Sequence, residues 1–158
     1  MLYLRNNFEE RKMDKQQILD TIKIKTAEKI HTFEKLIAET RASNNDTKSS
    51  MGDKYETGRE MLQQEINNLT RQLNEALSQQ ALLQKITSEP SLKVQNGALV
   101  KTDKGLFYVS VSMGEIIVES QKIMTVSIES PLIKAMLGKK EKETFSINNI
   151  QQIIEGIW

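Results

Sequence analysis

The sequence predicts an α+β fold, with an antiparallel coiled-coil hairpin leading into a small antiparallel β domain that carries one short helix. Three observations predict it. Two long segments carry apolar residues at helical spacing. No proline occurs between residues 1 and 89. After Pro90 the texture changes to short runs rich in Val, Ile, Phe and Tyr.

Residues 1–12 read as a leader. Leu2-Tyr3-Leu4 is too short for the apolar core of a signal peptide, and Glu9-Glu10 follow at once. Residues 13–89 read as the hairpin. Asp14 is the expected N-cap, with Gln17 three residues on in capping-box register, and Met13 just before it is a candidate internal start. Leu19, Ile22, Thr26, Ile30, Phe33, Ile37 and Thr40 then step by three or four, giving one stripe on a helix that runs to about Ala42. Ile18, Ile24 and Leu36 lie off that stripe and are assigned to a second face.

Residues 44–57 are small, polar and charged, as expected of a hairpin tip, and Gly52 and Gly58 lie in or beside them. In the second helix Leu62, Ile66, Leu69, Leu73, Ala76, Gln80 and Leu83 alternate steps of four and three. That is a heptad seam, whose period keeps one face toward a partner helix. A long helix with a narrow stripe cannot bury itself alone, and the preceding segment is the nearest partner. At 1.5 Å per residue, an arm of about 30 residues would be roughly 45 Å long.

Residues 90–158 form the second expected domain. Pro90 disfavours helix at Glu89 and cannot continue one. Residues 98–102, 106–111, 116–118, 124–128 and 145–147 read as strands. Asp103-Lys104-Gly105 and Ser112-Met113-Gly114 read as tight hairpin turns between them. For the short helix, Ser130 is the cap, Pro131 the first helical residue and Gly138 the stop. Ile150–Trp158 is expected as a last strand or short helix, tied into the core by Ile153, Ile154, Ile157 and Trp158.

Composition excludes several classes of function. Without cysteine there is no disulfide, thiolate metal site or cysteine nucleophile. Charged residues make up 27% with a formal net charge of +1, and from Ser88 onward eight lysines face eight acidic residues. Autonomous binding of nucleic acid needs clustered positive charge, so nucleic acid is expected only inside a partner's complex. No apolar run approaches the ~20 residues that span a bilayer, so the expected location is the cytoplasm and no membrane partner is expected. His31 is the single histidine and falls mid-arm, which leaves Ser49 and Ser50 without a base. Asp46, Asp53 and Glu56 are the acids of the tip. They have an ordinary capping role beside any functional one.

The run Val126-Ser127-Ile128-Glu129-Ser130-Pro131-Leu132-Ile133-Lys134-Ala135-Met136-Leu137-Gly138-Lys139-Lys140 resembles the C-terminal signature of the bacterial Gre transcript-cleavage factors. In that family a strand ends in Ser-Pro, and a short helix closes on Leu-Gly-Lys-Lys. Tyr55-Glu56-Thr57-Gly58-Arg59-Glu60 is similar to the start of the family's second coiled-coil helix. The resemblance covers residues about 14–158.

It implies an FKBP-like C-terminal domain docked at the rim of the secondary channel of core RNA polymerase. The implied docking residues are Ser130, Pro131, Lys134, Gly138, Lys139 and Lys140. It also implies a coiled-coil tip inside that channel, making contacts through Lys48, Ser49, Ser50, Lys54, Tyr55 and Arg59. Asp46, Asp53 and Glu56 would there help hold a Mg²⁺ shared with the polymerase, since that cation takes hard oxygen ligands. The factor has no catalytic residue, cofactor or stably bound metal of its own in this reading, and acts as a monomer.

The tip departs from the family's Asp-x-x-Glu pattern. Aligned on Tyr55, Lys48 stands where the Asp belongs and Met51 where the Glu belongs. Polymerase docking rests on the C-terminal motif and cleavage of backtracked RNA on the tip acids, so the two expectations separate. The alternative from another class is a dimeric coiled-coil adaptor whose sheet domain binds a different protein. A peptidyl-prolyl isomerase is discounted, because Phe107, Tyr108, Phe145 and Trp158 are too few and scattered to line its pocket.

Overall fold

The computed structural model describes residues 14–48 and 54–158; for helical residues 46–48 and 54–56 it describes the backbone alone. The leader and Met13 lie outside the described residues. The protein is α+β. Helix α1 spans Lys15–Lys48 and helix α2 spans Lys54–Gln84. Six strands follow: β1 (Leu99–Thr102), β2 (Gly105–Ser110), β3 (Gly114–Val118), β4 (Gln121–Ser127), β5 (Thr144–Ile147) and β6 (Ile150–Ile157). The short helix α3, Pro131–Met136, lies between β4 and β5. The chain divides into two compact units. One contains Lys23–Ala81; the other contains the described residues up to Ile22 together with Leu82–Trp158.

In the helical unit the two stripes meet. Ile37 on α1 packs with Ile66 and Leu69 on α2, flanked by half-buried Phe33 and Leu73. Ile30, Thr26 and Ala76 are also buried, as the periodicity requires. Ile24 and Leu36, assigned from the sequence to a second face, are exposed instead. Helix α1 continues past Ala42, where the apolar pattern stops, through Asn44-Asn45-Asp46 to Lys48. Once a helix is nucleated, each further residue adds one hydrogen bond for one residue fixed, so a polar stretch of modest propensity can extend it.

The sheet unit begins with Asp14, whose carboxylate accepts a 3.0 Å hydrogen bond from the Gln16 N–H and caps α1. Strand order is β3-β4-β2-β1-β6-β5. The sheet is mixed, which corrects the antiparallel expectation: β2 and β4 run parallel, with Tyr108 opposite Thr125. Asp103-Lys104 does join a β1–β2 hairpin. Ser112-Met113-Gly114 does not close one. Met113 N–H donates to Thr125 Oγ1 (2.9 Å), and that hydroxyl donates to the Gly114 carbonyl (2.7 Å), so the turn is held by β4. The chain therefore passes over one strand position, and β4 returns into the gap. The β3–β4 hairpin turns at Glu119-Ser120 and the β5–β6 hairpin at Asn148-Asn149. All four turn residues have positive φ, the backbone whose twist matches the flanking strands. The segment read as a last strand or short helix is strand β6.

Both faces of the sheet are covered. Successive residues point to opposite sides, so Leu99 and Tyr108 enter one core while Val100 and Val109 enter the other. The first core joins Ile116 and Ile123 to Ile18, Leu19 and Ile22 of α1 and Leu83 of α2. The second joins Val100, Val109 and Ile154 to Ile133 and Met136 of α3 and to Phe145.

Candidate functional site

The run that carries the sequence resemblance, 126–140, forms one continuous surface feature of the sheet unit. Strand β4 ends in a turn held by two serine hydroxyls, one from the β2–β3 connection and one of its own. Ser127 N–H donates to Ser112 Oγ (3.1 Å), and Glu129 N–H donates to Ser127 Oγ (3.0 Å). Ser130 then caps α3: its backbone is extended and its Oγ accepts from the Ile133 N–H at 3.3 Å. Pro131 takes the first turn, where an amide proton would have no helical partner. Gly138 stops the helix with φ of +79°, a conformation that glycine adopts without a Cβ clash. Its N–H donates to the Val94 carbonyl, and Val94 N–H donates back to the Lys139 carbonyl, both at 2.9 Å. The far end of α3 is thereby pinned to the segment that enters β1.

This geometry sorts the residues by role. Ile133 and Met136 are buried core, whereas Pro131, Lys134, Leu137 and Lys140 are exposed. Ser130 and Lys139 are half-buried and Gly138 is exposed. Lys134 pairs with Glu129 at 3.5 Å, a solvated contact that contributes little to stability. Among the described residues Lys140 has no ion-pair partner. The capped helix and the residues just after it thus expose two lysines and one leucine. This surface can bind an acidic partner surface; it offers no nucleophile and base in combination.

The tip residues are placed less fully. Ser49, Ser50 and Asp53 lie outside the described residues. Asp46 and Lys48 fall in the last turn of α1, and Lys54, Tyr55 and Glu56 in the first turn of α2, with their side chains outside the description. Arg59 is half-buried on α2, and His31 is exposed on α1. Among the described residues no group of three or more acidic or histidine side chains is placed to hold a metal ion. Likewise no described helix is long and apolar enough to cross a membrane. Tyr108 and Phe145 belong to cores on opposite faces of the sheet, so they share no pocket.

Sequence reasoning passed over Lys15. It is buried although it opens a helix, and its ammonium donates to the Glu89 carbonyl at 2.7 Å. Burial lowers its pKa to about 8, the neighbouring Glu89 charge opposing that shift in part. No local pattern marks such a residue, because the acceptor lies 74 positions away.

Fold and site together define an α+β protein with a self-paired helical unit and a six-stranded mixed sheet that presents a capped basic helix. No protein-family model matches the chain, and no curated protein matches it significantly. Among solved structures it is similar to a structure of the transcription factor Gfh1, at 14% identity over 85% of this chain and 92% of that one, with a TM-score of 0.36. It is also similar to the crystal structure of GreA factor homolog 1 (Gfh1) of Thermus thermophilus, at 14% identity over 86% and 94% of the two chains, again with a TM-score of 0.36.

Proposed function

We propose that this protein is a non-enzymatic, Gre-like regulator of transcription elongation that binds bacterial core RNA polymerase. The observation that carries this reading is the form of residues 126–140. The run that resembles the family's signature contains a serine-capped, glycine-stopped helix, with Pro131 and Lys134 exposed on it and Leu137 and Lys140 exposed just beyond it. Such a surface suits a partner with exposed carboxylates, and it leaves the helical unit to act elsewhere on the same machine. The seam of that unit supports the reading against a dimeric adaptor, because Ile37, Ile66 and Leu69 are already buried within one chain.

In this proposal the tip enters the secondary channel as a monomer, and nucleic acid is met only inside the polymerase. The donor chemistry of the tip differs from the family's. Lys48 and Met51 replace two carboxylates, and neither side chain is a ligand for Mg²⁺. Asp46, Asp53 and Glu56 remain as oxygen donors for a cation shared with the polymerase. Occupation of the channel is thus assigned separately from stimulation of RNA cleavage.

The test is titration of purified protein onto core RNA polymerase, followed by transcript cleavage on backtracked complexes. Wild type is expected to bind, and the pair Lys134→Glu with Lys140→Glu to weaken binding at least tenfold. Asp46→Ala and Asp53→Ala are expected to retain binding and change the rate on stalled complexes. Absence of any affinity for core polymerase overturns the proposal.

A further inference from the structure

A cleft lies within the sheet unit, and no residue of α3 lines it. It encloses about 460 Å³, within the ordinary size range of small-molecule sites. Pro90, Leu92, Ile157 and Trp158 form its apolar walls; Lys15 and Asp14 stand on its polar side, with Ser88 and Ser91 adding hydroxyls. Three features of this cleft point to one class of ligand.

The first is the aromatic wall. Trp158 is the single tryptophan of the chain, and its backbone is fixed: its N–H donates to the Leu99 carbonyl at 2.9 Å and its carbonyl accepts from the Leu99 N–H at 3.1 Å. The benzo edge of the indole lies over Gly156, where a Cβ would come within 2.6 Å of the ring. The fixed backbone and the close seat over Gly156 restrict the ring, which lowers the entropic cost of binding against it.

The second is a cation with unused hydrogen-bonding capacity. Lysine is rarely buried, yet Lys15 is only 8% exposed. Its ammonium has three protons, and one is donated to the Glu89 carbonyl. Among the described residues no carboxylate lies within ion-pair distance of it, and the Glu89 charge acts on it from farther away. The third is an exposed apolar residue. Leu92 on the wall is 86% exposed, so one side of the cleft offers hydrophobic surface still facing water.

We propose that this cleft binds a small aromatic carboxylate, the acid group meeting Lys15 and the flat apolar body lying between Trp158 and Leu92. One negative charge suits the site better than two. The wall holds one cation, and the Asp14 carboxylate and the neighbouring Glu89 charge repel a doubly charged phosphate. Asp14 makes no ion pair with the Lys15 ammonium, and its Oδ1 accepts the capping N–H of Gln16.

The test uses naphthalene-2-carboxylate and its neutral isostere naphthalene-2-carboxamide, titrated into the full chain. The readout is the ¹⁵N-labelled indole N–H resonance of Trp158. Saturable binding of the acid is expected at a Kd near or below about 1 mM, with the amide at least tenfold weaker. Lys15→Met keeps the apolar stem, and with folding verified by circular dichroism it should lose about tenfold in affinity for the acid and none for the amide. An indole resonance unmoved by the acid overturns the inference. So does equal affinity of wild type for acid and amide, a comparison that needs no variant, and so does an unchanged acid affinity in folded Lys15→Met.

Discussion

The helical unit and the sheet unit bury apolar side chains by different geometries. In the helical unit one seam serves both helices, and each buried side chain, such as Ile37 or Leu69, has half-buried neighbours in Phe33 and Leu73. In the sheet unit a single layer is covered on both sides, so Ile123 and Ile133 are fully enclosed in separate cores. A seam contributes about one apolar contact layer per helical turn, whereas a two-sided sheet surrounds each residue with contacts from several elements. The consequence is that equal truncations should cost unequal amounts, and local opening should start in the helical unit.

The largest effect is expected from Ile123→Ala. The side chain is enclosed by β2, β3 and the helix ends, with little room for collapse, so about 3 to 4 kcal/mol should be lost. Urea unfolding followed by circular dichroism would measure it as a lower midpoint at unchanged slope. Leu69→Ala should cost less, about 2 kcal/mol, because Phe33 and Leu73 can relax into the space. Hydrogen exchange sharpens this contrast: amides within 23–81 should exchange faster while those of β1 and β2 keep their protection. Equal costs for the two truncations would break the comparison.

Ser130→Ala should cost about 1 kcal/mol, the usual loss of an N-cap. It should also loosen α3, which the amide exchange rate of Ile133 reports. Smallest at neutral pH is Tyr108→Phe. The Tyr108 hydroxyl is buried with no hydrogen-bond partner among the described residues, so its removal should change stability by less than about 1 kcal/mol. The two proteins should separate in alkali. Burial pushes the Tyr108 phenol up from 10.0 to about 12, so the unfolded chain releases its proton first. This contribution to stability is complete below pH 10.0 and is lost as pH rises toward about 12. The phenylalanine variant should lack that decline, which unfolding curves across this range would show.

Much of the helical unit was legible in the sequence. Steps of three and four place Ile30, Ile37, Ile66, Leu69 and Ala76 on their seams without knowledge of the partner, and all are buried. The ends of α3 were legible for a similar reason, since Ser130, Pro131 and Gly138 each satisfy a requirement of the adjacent backbone. The order of strands was not. Glu119-Ser120 makes a positive-φ turn without the glycine or asparagine that usually marks one, while Ser112-Met113-Gly114 looks like a hairpin and is claimed by Thr125 instead. The sequence could not tell which leucine or lysine of α3 and its end would face outward. Leu137 is exposed because the helix has already ended at Met136.

Local rules alone thus dictate which stretches coil, which extend, and where the short helix starts and stops. Each such preference compares conformations of one segment, and the residues that decide it sit within a turn of one another. Partner choice is different in kind. The parallel β2–β4 pair and the Lys15–Glu89 hydrogen bond are selected among many pairings of similar local energy. Only the assembled sheet, by burying both of its faces at once, makes one of those pairings the best.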